Sequence, residues 1–523
     1  MRALQARFVR SIAPPVSGLA ETRLLAGIAA GLALVATGAD AQQAVGLRRG
    51  TPTYLAQQPV PGGTPADPGP AIPDAGGEPD TPLQTRPSSI ATGAPPRASR
   101  PVQSPALRGV TQRELRPPRS DVSALPPQPE PAPPPPRRRR PAEEDPYAPL
   151  GLRLGNVVLK PALGTSVGYD SNPERSAAPG AKGSAFSRYE GELDVQSDWN
   201  VHELKGKLRG GYSQFFRNDQ ASRPDAEGNL DLRLDASRDT RILLETRARL
   251  DTQRPGSPDL TSAVVGRPLV YQYGGSAGVT HDFSRLQMTL RGSVDRSDYE
   301  DAQLNTGGIL SQADRNQTQY GLRLRAAYEV TPGFKPFVQG EIDSRDFDEK
   351  VDSNGYRRSS NGVTARLGTS FEISRLLTGE ISGGYQNRTY DDPRLKNLRG
   401  FVGDAAILWT PTPLTTVTLR GGADLGDTTV AGSSGTTVRR AGLEIAHSLR
   451  RNLTVTGVAN ISRTVYEGQE LREDLASLGA RIEYKLTRTF SVRASFTHEW
   501  LTSTAQGSDY TANVAQVGLR VQF

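Results

Sequence analysis

Residues 230–250 read LDLRLDASRDTRILLETRARL. In the first six, Leu230, Leu232 and Leu234 alternate with Asp231, Arg233 and Asp235. After Ala236 and the polar stretch Ser237-Arg238-Asp239-Thr240, the apolar phase resumes at Ile242, Leu244, Thr246, Ala248 and Leu250. Leu243, Glu245, Arg247 and Arg249 lie between them. An extended chain turns successive side chains to opposite faces, so each run has one apolar and one mostly charged face. A helix of 3.6 residues per turn would mix the two sets on all sides. Two such runs joined by a short polar turn predict an antiparallel hairpin.

The same period extends in both directions. Leu204, Gly206, Leu208, Gly210 and Tyr212 form one face upstream; Leu286, Met288, Leu290, Gly292 and Val294 form one downstream. Tyr320 to Tyr328, Val363 to Ile373, Leu478 to Leu486 and Phe490 to Phe496 repeat it. Runs of this kind fill about residues 157–523 and predict about 18 strands. Tight polar turns (Thr331-Pro332-Gly333, Pro411-Thr412-Pro413, Ser448-Leu449-Arg450, Leu486-Thr487-Arg488) alternate with longer loops near 171–186, 217–226, 254–266, 299–316, 346–357, 389–398, 426–437 and 502–510. Short turns at one end and long loops at the other are the rhythm of outer-membrane barrels. An even strand count puts both strand-array ends on the periplasmic side.

An interior enclosed by so many strands is too wide for side chains to fill. The apolar faces must therefore point out to lipid and the charged faces in to water, with every backbone group paired by the closed ladder. The predicted fold class is all-β: a closed antiparallel transmembrane β-barrel behind a disordered Pro-rich arm. Aromatic residues agree with this inversion. Trp199, Trp409, Tyr328 and Tyr484 fall near the short turns, and Tyr212, Tyr271, Tyr273, Tyr320 and Trp500 near the long loops, as two interfacial girdles require.

The first 150 residues are different material. Arg2, Arg7, Arg10 and Arg23 precede the apolar run LLAGIAAGLALVAT, residues 24–37, and Ala39-Asp40-Ala41 gives a small-x-small cleavage pattern. This reads as a signal peptide over 1–41, cut after Ala41, because 14 apolar residues fall short of the ~20 that span a bilayer. Residues 42–150 hold 27 of the 41 prolines and few large apolar side chains, which predicts a disordered periplasmic arm. Arg137 to Arg140 close its polyproline run and read as a solvated charge cluster or a contact for an anionic partner. Residues 151–523 form the barrel domain.

Mean hydropathy is −0.51 and cysteine is absent, which excludes disulfides and thiolate metal sites. Residues 151–523 carry 46 basic and 44 acidic side chains, so no basic face points to nucleic acid. The closing run AQVGLRVQF puts Val517, Leu519, Val521 and Phe523 on one face. Leu519, Val521 and Phe523 resemble the signal read by the barrel-assembly machinery. The stretch PALGTSVGYDSNP, Pro161 to Pro173, resembles the start of the barrel in the "putative beta-barrel porin 2" family. That resemblance implies an outer-membrane barrel, associated in some members with exopolysaccharide secretion.

Function should lie on the inward face. The expected pore lining comprises Lys205, Lys207, Arg209, Arg233, Asp235, Glu245, Arg247, Arg249, Arg291, Asp295, Arg323, Arg325, Glu341, Arg366, Glu372, Arg420, Glu444, Arg481, Glu483 and Arg493. Glu192, Asp194, Asp231 and Asp343 share the phase. Single-sign rings would select ions; intermixed signs predict cross-strand pairs and weak selectivity. The reading is a polar, water-filled pore for polar solutes, saccharides among them. The alternative is a non-catalytic outer-membrane component of an exopolysaccharide secretion assembly, its arm recruiting periplasmic export partners. Of the four histidines, His202 and His281 lie near short turns, and His447 and His498 on the lipid-facing phase. In His498-Glu499 the two groups face opposite sides, which counts against a barrel hydrolase. No cofactor and no metal are expected; Val351 to Gly355, VDSNG, fits turn chemistry better than a Ca²⁺ loop.

Overall fold

A computed structural model describes residues 146–177 and 180–523. The signal peptide and almost all of the Pro-rich arm lie outside the described residues. Eighteen long strands follow in chain order: β1 (Val157–Asp170), β2 (Ser184–Ser197), β3 (Glu203–Phe215), β4 (Arg223–Asp235), β5 (Thr240–Thr252), β6 (Leu269–Phe283), β7 (Leu286–Tyr299), β8 (Gln317–Tyr328), β9 (Phe334–Phe347), β10 (Ser360–Ser374), β11 (Leu377–Tyr390), β12 (Leu398–Thr412), β13 (Thr415–Gly426), β14 (Gly435–Arg450), β15 (Leu453–Glu467), β16 (Leu471–Lys485), β17 (Phe490–Ser503) and β18 (Tyr510–Gln522). Each pairs antiparallel with its neighbours, and β1 pairs with β18 from Ala162↔Gln522 to Asp170↔Val514. That last ladder closes the barrel and removes the sheet edges, as a bilayer demands.

The hairpin read from residues 230–250 is β4–β5, with Leu232 opposite Leu244 and Asp231 opposite Glu245. Its turn holds because Ala236 N and Ser237 N both donate to Thr240 O. The turn after β8 depends on Gly333, whose φ of +87° favours glycine, and its carbonyl accepts from Glu372 N at 2.6 Å. Strands of 12 to 16 residues, tilted, exceed an apolar band of ~25 Å, so their ends stand in the interfaces.

Leu163, Val167, Leu290, Leu322, Ile342, Leu367, Ile461, Leu478 and Val517 are all solvent-facing and roughly half exposed. In water this would be a large liability; against acyl chains it is the required surface. Tyr328, Trp409 and Tyr484 mark its short-turn end, and Tyr212 and Tyr320 its long-loop end. Trp199 departs from the expectation: it sits in the 198–202 turn between β2 and β3, outside any strand, so no strand phase assigns it to the apolar face.

Loop lengths follow the alternation with one exception. Eight connections on one side are short. Nine lie on the other, and the sequence reading gives only eight of them, because residues 468–470 form a three-residue link between β15 and β16. At Gly468-Gln469-Glu470 this link is as short as the turns of the other end, so length does not mark it as a loop. The connections near 253–268 and 300–316 hold strands of their own: Val264–Val265, Ala302–Leu304 and Ile309–Leu310 form a small antiparallel sheet. Leu260 is buried with Val264 and Ala302 of that sheet, packed with Leu304 and Leu310.

Candidate functional site

Strand parity puts all twenty of the expected lining residues on the face opposite the exposed leucines and valines. The structure joins most of them in ion pairs that climb the wall across neighbouring strands. Arg233 and Lys205 share Glu203, at 2.7 and 2.5 Å, and Arg233 lies 3.4 Å from Asp235. Arg247 meets Asp295 at 2.6 Å and Arg291 meets Glu245 at 2.7 Å, while Arg249 pairs with Asp251 at 2.6 Å. Arg323 binds Glu341 at 2.7 Å, and Arg366 binds Asp404 at 2.5 Å. Arg325 spans three strands to a two-pronged contact with Glu380, both bonds 2.8 Å, and lies 3.6 Å over the Phe337 ring. Planar guanidinium forks suit such paired contacts.

Around the closing seam, Arg520 binds Glu192 at 2.6 Å, Arg493 binds Glu483 at 3.0 Å, and Arg209 reaches Glu190 at 3.4 Å. Glu190, Glu192, Arg209, Arg481, Arg493 and Arg520 line a recess in the wall of about 620 Å³, open space included. Glu444 is inward on β14. Lys207, Glu372 and Arg420 face inward and make no ion pair among the described residues. Arg188, Glu190, Glu203, Asp225, Asp251, Glu380, Asp404 and Arg520 also face inward and are missing from the sequence-based set. They obey the same parity, and counting every charged residue on that phase would find them.

The long-loop end is built differently. The 253–268 loop between β5 and β6 reaches the far side of the mouth. Arg254 Nη2 lies 3.1 Å from Glu473 on β16, its Nη1 donates to Ser508 O, and its guanidinium stands 5.3 Å from the Tyr510 ring centre. Ser508 Oγ returns a bond to Gly256 O at 3.0 Å. The 427–434 loop between β13 and β14 meets it from the other side. Thr428 Oγ1 and Thr429 N donate to Asp259 Oδ1 at 2.6 and 2.9 Å. Asp427 accepts from Gln317 Nε2 at 2.9 Å and lies 3.3 Å from Arg345. Arg358 donates to Ser433 O and Val430 O and pairs with Asp352. Arg175, Arg345, Arg358 and Arg388 are almost wholly buried, each beside a carboxylate. Buried guanidinium groups persist only when so paired.

The cap covers a cavity of about 800 Å³, open space included, lined by Gln253, Arg254, Asp259, Arg315, Tyr466 and Glu473 among others. Gln253 is buried, and among the described residues its Oε1 has no hydrogen-bond donor. Lumen and mouth thus differ. The wall is a lattice of paired charges; the mouth is crossed by loops joined through side-chain bonds.

The histidines stand apart from both. His281 Nδ1 lies 2.8 Å from Thr240 Oγ1, His447 Nδ1 lies 2.9 Å from Thr415 Oγ1, and His498 Nδ1 lies 2.7 Å from Asn513 Oδ1. His202 Nδ1 accepts from Asp235 N. Glu499 faces inward, bonded by Tyr510 Oη, so it and His498 are on opposite faces. Among the described residues, no group of three or more His, Asp or Glu side chains could hold a metal ion. Asp352 in VDSNG spends its Oδ1 on Asn354 N and Tyr356 N, as a turn does.

No curated protein matches the sequence. Among solved structures, the chain is similar to OccK2 (OpdF) of Pseudomonas aeruginosa, solved in complex with glucuronate, at 10% identity and a TM-score of 0.36, covering 70% of this chain and 98% of that one. It is similar to OccAB3 of Acinetobacter baumannii at 10% identity and a TM-score of 0.35, covering 70% and 99%. The siderophore receptor PirA of A. baumannii gives 9% identity and a TM-score of 0.36, covering 70% and 80%. The family model described as putative beta-barrel porin 2 matches residues 145–523. That span takes in every strand of the closed, lipid-facing barrel, and the chain is therefore an outer-membrane β-barrel that belongs to the putative beta-barrel porin 2 family.

Proposed function

We propose that the barrel is a gated, non-catalytic pore for polar solutes, saccharides among them. The observation that carries this reading is the inward charge lattice inside a closed ladder whose outer face is apolar. Alternating guanidinium and carboxylate groups offer a passing polyhydroxyl solute both donors and acceptors. Because nearly every cation is matched by an anion, the lumen holds no single-sign ring, and ion selectivity is expected to be weak. The loop cap supports gating: its contacts are polar side-chain bonds that join opposite walls.

Planar-bilayer recording of the refolded barrel tests this. Brief openings with a cation-to-anion permeability ratio near one are expected, and larger neutral sugars should reduce the open current. A barrel that stays silent with the cap contacts removed would refute the pore.

Residues 42–150, with their proline content, favour a second reading, in which the barrel is the outer exit of an exopolysaccharide secretion assembly and the arm recruits periplasmic partners. Deleting 42–150 would then abolish export and leave the conductance of the barrel intact. In either case Leu519 and Val521, on the outward phase of β18, and Phe523, just past its end, are proposed as the contact for the barrel-assembly machinery.

A further inference from the structure

The outward face at the long-loop ends of β14, β15 and β16 carries a cluster of arginines. Arg439 on β14 stands directly opposite Arg463 on β15, and Arg463 stands opposite Asp474 on β16. Arg463 Nε lies 2.5 Å from Asp474 Oδ1, and Arg472 Nε lies 3.1 Å from Asp474 Oδ2. Arg439 is exposed and makes no ion pair among the described residues. Two guanidinium groups therefore share one carboxylate, and a third stands beside them opposite Arg463. Like charges directly opposite across a strand pair repel, so the arrangement invites an anion.

Its height on the barrel says what kind. Ile461 sits two residues below Arg463 on the same face, 62% exposed, and pairs with Ala441 and Ala476; Ala476 in turn opposes Trp500. The lipid-facing band ends at this row, where an aromatic ring marks the interface. The cluster thus lies one pleat above the acyl chains, on the long-loop side, which faces outward in barrels of this class. A comparable row on β7 differs. Arg296 there lies 2.5 Å from both Asp298 and Asp348, so its charge is satisfied within the protein.

We propose that Arg439, Arg463 and Arg472 bind the phosphate headgroup of an outer-leaflet lipid whose acyl chains lie along Ile461 and the alanines beside it. Phosphate oxygens accept from guanidinium forks, and the apolar strip below supplies the surface for the chains. Asp474 holds Arg463 and Arg472 side by side, leaving Arg439 with all its donors for the ligand.

The test uses the full barrel in detergent, with native mass spectrometry reading bound lipid. The probes are a bis-phosphorylated glycolipid, the same glycolipid without phosphate, and inorganic phosphate as competitor. Wild-type protein should retain the phosphorylated form at least tenfold more strongly than the dephosphorylated one. Inorganic phosphate at equal concentration should not displace it. Combined Arg439→Gln, Arg463→Gln and Arg472→Gln should remove that preference, and Arg296→Gln should leave it unchanged. Should the triple variant not fold, Arg439→Gln, which breaks no ion pair, should still weaken retention several-fold. Equal retention of the two glycolipids, displacement by free phosphate, or an Arg439→Gln barrel that binds as wild type would each overturn the assignment.

Discussion

Asp259 is the point at which the two halves of the cap meet, and replacing it with alanine should open the mouth. Its Oδ1 accepts from Thr428 Oγ1 at 2.6 Å, from Thr429 N at 2.9 Å and from Thr429 Oγ1 at 3.3 Å. A hydrogen bond to a charged group contributes ~1.5–3 kcal/mol in favourable cases. Three bonds onto one half-buried oxygen do not add, and water replaces part of what is lost. A total of about 2–3 kcal/mol is a reasonable sum, which at ~1.4 kcal/mol per factor of ten is a shift of about 30- to 150-fold in the ratio of open to closed mouths. Single-channel recording reads that ratio directly as open probability. Asp427→Ala removes the second latch, the contacts to Gln317 and Arg345, and acts on the same 427–434 loop. If the loop swings as one body, the double variant should show about the product of the two single shifts. Unchanged open probability in both single variants, with intact strand content, would refute the idea that these contacts hold the mouth closed.

Other predictions probe the wall and the loops. Leu367 is outward at the middle of β10, so Leu367→Arg should cost ~2–4 kcal/mol in denaturant titrations run in lipid vesicles, and a cost near zero would contradict lipid contact there. Glu192→Gln strips the carboxylate shared by Arg520 and Arg493; reversal potentials in a salt gradient should move towards anion selectivity, and no movement would show that the seam recess is off the conduction path. In the 391–397 loop, the Arg394 guanidinium first and the Arg357 and Arg394 amides next hold the Asp392 carboxyl well below the usual carboxylate range. A depressed pKa adds stability that is whole above the unfolded value of ~3.9 and fades as pH drops towards the folded one. Amide-exchange protection at Arg394, corrected for intrinsic rate, should stay level from pH 7 to about 4 and fall only under more acid conditions; a fall already near pH 5 would go against this clamp.

Parity made the barrel legible. Leu230, Leu232 and Leu234 need only their neighbours in sequence to show which way they point, because a strand's side-chain period is two and any slip turns the whole set over. The same logic places Arg247 and Glu341 inside without any knowledge of what they touch. Partners were harder. Arg325 finds Glu380 three strands away, a contact set by barrel closure and strand stagger that parity alone does not encode. The cap was invisible for a further reason. Asp259, Asp427, Arg254 and Arg345 lie in or beside loops, carry no period, and meet across intervals of more than one hundred residues, as Gln317 and Asp427 do. Trp199 erred in the opposite direction, since phase counting carried it past the end of β2 into a turn where phase has no meaning.

The division has a physical basis that bears on how such a barrel evolves a solute preference. The ladder fixes the wall: each inward residue is held by two backbone neighbours, and its position survives the loss of any one ion pair. The cap has no such frame. Its geometry rests on side-chain bonds such as Arg254 to Glu473 and Thr428 to Asp259, and on the three-residue cluster Leu260, Val264 and Ala302. Changes there alter the opening without disturbing the strands that must be inserted and closed in the membrane. Substitutions that retune access should therefore concentrate between 253 and 268 and between 427 and 434, and those that retune charge balance on the inward parity of the strands.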